Sequence, residues 1–163
     1  MTFLEIADLL INQFEADIQP NTQNLQPYLT ISSSRLVELC QFLRDDDRLF
    51  FDLLACLTAI DNGPASDTID VIYNLTSIPY AHDLMLKVVI PRNTQQTVLP
   101  SVPSVAHIWR TADWHEREAF DLVGIHFENH PDLRRILLPA DWLGHPLRTD
   151  YQEPEQYHGI KTK

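Results

Sequence analysis

The chain has 163 residues, and its 44% of apolar and 21% of charged residues are typical of one globular domain. Its formal net charge of -11 would repel a nucleic acid or an anionic membrane surface, so we expect protein partners instead. The two cysteines, Cys40 and Cys56, are too few to ligate an iron–sulfur cluster. Their apolar surroundings predict buried free thiols, with a disulfide between them as the alternative.

The N-terminal part of the chain predicts two helices separated by a short strand. Thr2 and Glu5 form a capping box for a first helix that should end near Gln19-Pro20. Residues 27–31 are expected to form a strand, and the serines at 32–34 to provide N-caps for a second helix. The apolar spacing gives that helix a buried face made of Leu36, Leu39, Cys40 and Leu43.

The middle of the chain predicts three strands and a third helix. Residues 50–60 are apolar almost throughout, which favours a strand buried on both faces before the turn signal at 61–64. Two further strands, at 69–76 and 83–90, are expected to pair antiparallel. The polar, proline-rich residues 91–103 predict a surface connection, and a helix over 112–123 should end at Gly124.

Together these elements predict an α+β fold in which helices pack on a mostly antiparallel sheet. Residues 1–123 would form the α+β domain. Residues 124–163, which we call the C-terminal segment, are expected to be irregular and extended, within one overall domain. The acidic N-terminus lacks the basic start of a targeting peptide, and the longest apolar run is too short to span a bilayer, so no membrane span is expected.

An Arg- and His-rich segment, residues 114–151, contains four of the seven His, four of the nine Arg and no Lys. The planar guanidinium of Arg suits fixed contacts to carboxylates at a buried interface. Large amphipathic anchors are provided by Trp114, Trp142 and Tyr151. On the third helix, the spacing of Asp113, Arg117 and Asp121 predicts shared ion pairs, which leaves Glu116 and Glu118 free to point elsewhere.

The same segment offers little for catalysis. His115-Glu116 begins like a zinc-protease motif, but Ala119 stands where the second His belongs. His126 and His130 are four residues apart between Gly124 and a proline, where a helix is not expected, so a zinc site is the minor alternative. The glycines are too widely spaced for a phosphate-binding loop. No catalytic, cofactor-binding or metal-ligating residue is therefore assigned.

The segment also carries a specific motif. It consists of Glu116-Arg117-Glu118, two residues, Asp121-Leu122-Val123, six residues, His130, three residues, Arg134 and then Ile136-Leu137. This pattern resembles the signature of the 30-kDa-subunit family of respiratory NADH dehydrogenase (complex I). The GHPLRTDY at 144–151 and the EPEQYHGI at 153–160 resemble the family's GHPLRKDY and YHG ending. The chain departs from the family at Thr149, where the family commonly has Lys. The chain is also short for a member of this family.

The resemblance implies a non-catalytic scaffold subunit in the peripheral arm of NADH-quinone oxidoreductase. The family member itself binds no cofactor, because FMN and the iron–sulfur clusters belong to partner subunits. It packs against the large quinone-site subunit and the small terminal-cluster subunit, and the C-terminal segment, residues 124–163, would dock on these partner subunits. The assembled enzyme passes electrons from NADH to quinone, coupled to proton translocation. The implied location is the cytoplasmic face of the bacterial inner membrane, reached through the complex. The alternatives are an equivalent subunit of a membrane-bound hydrogenase complex and a small zinc enzyme that uses the His cluster.

Fourteen interface or structural residues follow from the motif and its surroundings. We expect the helix to fix the segment, Gly124 to supply its turn, and the later Arg, His and Tyr side chains to contact partners. The full set is Glu116, Arg117, Glu118, Asp121, Gly124, His130, Pro131, Arg134, Arg135, Gly144, His145, Arg148, Asp150 and Tyr151.

Overall fold

The computed structural model describes residues 1–14, 17–93 and 98–162. Three α-helices are present in these ranges: α1 (Phe3–Phe14), α2 (Leu36–Asp45) and α3 (Arg110–Val123). A 3-10 turn, Ser33–Arg35, precedes α2. The strands are β1 (Ile18–Asn21), β2 (Tyr28–Ile31), β3 (Leu53–Asp61), β4 (Thr68–Ser77), β5 (His82–Pro91), β6 (Ser101–Pro103), β7 (His126–Glu128), β8 (Gln156–Tyr157) and β9 (Ile160–Lys161).

The first five strands form one mixed sheet in the order β1-β2-β5-β4-β3. All neighbours are antiparallel except β2 and β5, which run parallel. Alternate residues of β4 are buried, as the period of a strand requires, and they face the helices. The predicted α+β fold, with helices on a mostly antiparallel sheet, is confirmed.

The two N-terminal helices close one face of this sheet. The capping box of α1 is present: the Thr2 backbone N–H donates to Glu5 Oε2 at 2.8 Å, and the Glu5 N–H donates to Thr2 Oγ1 at 3.4 Å. The predicted buried face of α2 is also confirmed. The predicted serine N-caps are wrong. Ser33 and Ser34 lie in the 3-10 turn, Ser32 precedes the turn without a side-chain capping hydrogen bond, and Arg35 precedes α2 without one.

Several predicted boundaries differ from the structure. Helix α1 ends at Phe14 and strand β1 follows from Ile18, so the helix does not reach Gln19-Pro20; residues 15–16, within the predicted helix, lie outside the described residues. Strand β3 is buried on one face only. Cys56 lies on its other face and is exposed, so the predicted buried thiol is wrong there and right at Cys40. The prediction of burial on both faces failed because apolar residues, Ala55, Cys56 and Ile60, also occupy outward-facing positions of the strand.

The region around the third helix is more regular than predicted. Strand β6 lies within the predicted surface connection and pairs parallel with β7 of the C-terminal segment. Residues 94–97 of that connection are outside the described ranges. Strands β8 and β9 form a short hairpin near the end of the chain. Helix α3 ends at Val123 as predicted, but begins two residues earlier, at Arg110.

Helix α3 is positioned by the edge of the large sheet. Strand β3 is an edge strand, and Thr111 Oγ1 donates to the Leu54 carbonyl at 2.9 Å. The Leu57 N–H donates to His115 Nδ1 at 2.9 Å. These bonds cover backbone groups that an edge strand would otherwise leave open to another chain. They also fix the helix that carries the motif. In the part of the chain that the structure describes, none of the helices combines the length and the apolar character needed to cross a membrane.

Candidate functional site

The site begins where α3 ends, at Gly124. Its φ of 74° is left-handed, and its N–H donates to the carbonyls of Ala119 and Phe120, so it closes the helix as predicted. The His145 ring lies directly against it. A Cβ on Gly124 would be 2.6 Å from Nε2 and 2.8 Å from Cγ of that ring. Glycine is therefore required both for the backbone conformation and for the close approach.

A buried carboxylate, Asp121, anchors the C-terminal segment to the helix. Its Oδ2 accepts hydrogen bonds from three successive N–H groups, of Ile136 at 3.0 Å, Leu137 at 2.7 Å and Leu138 at 2.9 Å. Its Oδ1 accepts one from Arg135 Nη1 at 2.8 Å. Burial raises the pKa of Asp121, but these hydrogen bonds outweigh burial and hold it below the ordinary value. The carboxylate is thus ionised and fully engaged.

Two arginines of the segment bind backbone carbonyls of this same chain. Arg135 Nη2 donates to the carbonyls of Trp142 at 3.2 Å and Gly144 at 3.1 Å, which folds residues 135–144 into a loop. Arg148 Nη2 donates to the Gly124 carbonyl at 3.0 Å, and its Nε to that of Val123. Arg148 therefore satisfies carbonyls at the end of α3 that the helix itself leaves open.

A second buried anchor joins the segment to the large sheet. At the end of β3, Asp61 pairs with Arg92, with Nε to Oδ1 at 2.6 Å and Nη2 to Oδ2 at 3.0 Å. Asp61 Oδ2 also accepts from the N–H and Oγ1 of Thr149, at 2.8 and 3.0 Å, while Arg92 also pairs with Asp150. Burial raises the pKa of Asp61, but these donors bring it well below its ordinary value.

The anchor at Asp61 was missed from the sequence, where Asp61 belongs to a turn signal and Arg92 to a connection. The turn residue was a usable signal, because Asp61 Oδ1 also accepts from the Gly63 N–H in the local pattern typical of Asp. The departure from the family at Thr149 acquires a structural role here, since its hydroxyl donates to a buried carboxylate.

The buried side of α3 carries Glu116. The side chain is fully buried; Ser104 Oγ donates to Oε2 at 2.6 Å and the Val105 N–H to Oε1 at 2.8 Å. Burial is the main cause that raises the pKa of Glu116 to about 7. The prediction that Glu116 points freely elsewhere is therefore wrong, whereas Glu118 is exposed.

His130 and Arg117 also make contacts within the chain. The His130 side chain is buried; Nε2 lies 3.1 Å from the Asp113 carbonyl, and Nδ1 accepts from the Asp132 N–H at 3.0 Å. Since Nδ1 is an acceptor, Nε2 carries the hydrogen and donates. Arg117 lies over the Trp114 ring at 4.9 Å, and its ion pair among the described residues is with Asp132, at 3.8 Å. The predicted Asp113, Arg117 and Asp121 ion pairs are wrong.

The remaining predicted residues differ in exposure. Tyr151 is half-buried and accepts a hydrogen bond from the Trp142 indole N–H at 3.0 Å. Arg134 is 71% exposed and pairs with Asp132 on the surface. Pro131 is exposed, and Gly144 adopts a left-handed φ of 82°. The expectation that His130, Arg134, Arg135, His145, Arg148 and Tyr151 contact partners stays a prediction.

The outer surface of this region exposes several large apolar side chains beside charged ones. Large hydrophobic side chains are exposed on α3 and along the C-terminal segment, namely Trp114, Leu137, Leu143, Leu147 and Ile160. Large hydrophobic side chains are also exposed elsewhere on the described chain, for example Leu25 and Val98, so exposure alone does not mark this surface as an interface. The anchor at Asp121 fixes the backbone at Leu137, which is one of the exposed residues of this region.

Candidate metal ligands are dispersed over the described part of the chain. Within residues 1–14, 17–93 and 98–162, no three His, Cys, Asp or Glu side chains are grouped so that they could hold a metal ion. His126 is exposed on β7 and His130 is buried beneath α3.

Known proteins resemble the chain over most of its length. The family model described as respiratory-chain NADH dehydrogenase, 30 Kd subunit, matches residues 29–157. An NADH-quinone oxidoreductase subunit of Chloroherpeton thalassium is 44% identical over 161 residues, which is 96% of this chain and 64% of that protein. The subunit of the same name from Chlorobium phaeobacteroides is 46% identical over 125 residues, 76% of this chain and 72% of its own length.

A solved structure shares the fold. It is a chain of the membrane-bound sulfane sulfur reductase, an archaeal respiratory membrane complex, with a TM-score of 0.68 and 19% identity. The match covers 85% of this chain and 77% of that one.

Proposed function

Because this chain belongs to the family of the respiratory-chain NADH dehydrogenase 30 Kd subunit, we propose that it is a scaffold subunit of NADH-quinone oxidoreductase. It would stand in the peripheral arm and carry no reacting group of its own. FMN and the iron–sulfur clusters would belong to partner subunits, and the assembled enzyme would pass electrons from NADH to quinone, coupled to proton translocation.

The observation that carries the proposal is the way the C-terminal segment is held. Most of it has no regular secondary structure, yet two buried carboxylates, Asp61 and Asp121, bind it to the domain. Its exposed leucines are thereby fixed before any partner arrives. A preorganised surface loses less conformational entropy on binding than a mobile segment does, which suits a permanent contact between subunits.

The partners follow from the family and from the charge of the chain. We propose the large quinone-site subunit and the small terminal-cluster subunit as its neighbours, contacted by the exposed face of α3 and the C-terminal segment. With a formal net charge of -11, the chain favours partner surfaces that are basic around an apolar centre. Attachment through these partners would hold the chain at the cytoplasmic face of a bacterial inner membrane.

The direct test is purification of the tagged chain from gently solubilised host membranes, followed by a native gel stained for NADH dehydrogenase activity. The proposal expects the chain in a large active complex that contains both named partners by mass spectrometry. Recovery with hydrogenase subunits instead would transfer the scaffold role to that related complex. A small free species with stoichiometric zinc, lost in His130→Ala, would favour the zinc-enzyme alternative and contradict the proposal.

A further inference from the structure

The end of the chain folds back onto Asp141. Strands β8 and β9 are joined by His158 and Gly159, whose φ values of 48° and 80° form a tight left-handed turn. The turn brings two donors to one carboxylate. Tyr157 Oη donates to Asp141 Oδ1 at 2.9 Å, and His158 Nε2 donates to Oδ2 at 2.8 Å.

Aromatic rings lie beside this carboxylate, whose side chain remains 59% exposed. The ring centroids of Trp142 and Tyr157 are 5.1 Å apart with planes at 49°, and those of Tyr157 and His158 are 4.3 Å apart at 83°. The indole of Trp142 is fixed by its hydrogen bond to the Tyr151 hydroxyl. The rings and Asp141 line a cavity of about 190 Å³, which we call the aromatic pocket. Cavities for drug-sized ligands measure roughly 300–1,000 Å³, so the aromatic pocket has room for one side chain.

The chemistry of the aromatic pocket favours a planar cation. The ring faces attract a positive charge, and a guanidinium also stacks on them. The carboxylate of Asp141 offers about four lone-pair positions, of which the Tyr157 and His158 donors use one on each oxygen. The backbone N–H of Asp141 also interacts with the carboxylate, which leaves at least one position for an N–H group of an arginine. The hydrogen bonds from Tyr157 and then His158 lower the pKa of Asp141, which keeps the carboxylate charged at neutral pH.

We propose that the aromatic pocket receives the arginine side chain of a partner subunit, stacked on Trp142 and Tyr157 and paired with Asp141. The inference rests on the proposed function, because it requires a partner at the C-terminal segment. It assigns that partner a positive charge, which complements the net charge of -11 on this chain. It also gives the end of the segment a binding role of its own, separate from the anchors at Asp61 and Asp121.

The first test uses the purified chain and a small probe. N-methylguanidinium is titrated while the indole N–H signal of Trp142, assigned by its loss in Trp142→Phe, is followed by NMR. We expect a saturable shift with N-methylguanidinium and no response to neutral N-methylurea. N-methylguanidinium should bind about tenfold more weakly to Asp141→Asn. Asp141 is 59% exposed, so this variant should fold. Asp8→Asn, an exposed carboxylate on α1, is the charge-matched control and should bind as the wild type does.

Equal shifts with N-methylurea, or unchanged binding in Asp141→Asn, would overturn the cation pocket. Equal affinity for ethylammonium would overturn the choice of arginine, and tighter binding of tetramethylammonium would point to a lipid headgroup instead.

The second test separates the aromatic pocket from the proposed function. Native gels compare the wild type, Asp141→Asn and Asp8→Asn in host membranes solubilised at increasing salt. The inference expects all three in the complex at low salt and earlier release of Asp141→Asn alone. If the wild type itself never enters the complex, the proposed function fails, and with it the assignment to a partner subunit. If the wild type assembles and Asp141→Asn is released at the same salt concentration, only the aromatic-pocket inference fails.

Discussion

Replacing Asp121 by Asn tests whether one buried carboxylate holds the C-terminal segment on α3. The substitution preserves the shape of the side chain and leaves one oxygen. That oxygen can still accept from the three N–H groups of residues 136–138, but the amide group that replaces Oδ1 then faces the Arg135 guanidinium at 2.8 Å. A donor would replace an acceptor beside a cation.

The expected loss follows from the burial of the pair. Removing one partner of a buried ion pair costs about 3–5 kcal/mol, because the other charge is left without compensation. Arg135 is slightly exposed and keeps three carbonyl acceptors, those of Asp121, Trp142 and Gly144, so we expect a value near the lower limit, about 3 kcal/mol. With a urea dependence of about 2 kcal/mol per molar, the unfolding midpoint should fall by about 1.5 M.

Urea unfolding and hydrogen exchange together measure this effect. The amides of Ile136, Leu137 and Leu138 should exchange much faster in Asp121→Asn, whereas those in the middle of β4 should change less. Glu118→Gln removes an exposed carboxylate from the same helix and should shift the midpoint very little. An Asp121→Asn protein with wild-type midpoint and wild-type protection at 136–138 would refute the anchor.

Three further substitutions test other parts of the site. The raised pKa of Glu116 means that its ionisation opposes folding, with no penalty below about pH 4.5 and the full penalty above about pH 7. The free energy of unfolding of Glu116→Gln should therefore rise relative to that of the wild type, by up to about 3 kcal/mol, between pH 5 and 8. A pH-independent difference in urea unfolding would contradict this. Gly124→Ala should lower the melting temperature more than Gly159→Ala, because both glycines have positive φ but only the former would place its Cβ against a ring; equal losses would argue against the His145 contact. Arg134→Ala should reduce assembly on native gels while urea unfolding changes by less than about 1 kcal/mol, and unchanged assembly would remove Arg134 from the interface.

The parts of the fold that sequence analysis predicted correctly depend on local patterns. The capping box at Thr2 and Glu5, the buried face of α2 and the end of α3 at Gly124 each involve residues within a few positions of one another. Backbone geometry alone relates such residues, so their spacing is enough to predict the contact. The recognised motif added the family, which local patterns could not have supplied.

The parts that were missed depend on contacts between distant residues. Asp61 meets Arg92 across 31 positions and Thr149 across 88. No periodicity links such residues, and each has an ordinary local explanation as part of a turn or a connection. The exposure of Cys56 was missed for a related reason. Whether an apolar strand is covered on its second face depends on the other elements, and here the helices pack on one face only.

The Arg- and His-rich segment shows why residue type alone did not separate internal from external contacts. Arg135 and Arg148 have the donors that interfaces favour, yet they bind carbonyls and a carboxylate of their own chain. An extended segment has few backbone partners of its own, so its buried polar groups require side-chain donors, and Arg supplies several in fixed directions. The same density of Arg is therefore expected of a segment that is anchored internally. We therefore expect partner binding to depend more on the groups that the anchors leave exposed, such as Arg134 and the aromatic pocket, than on Arg135 and Arg148.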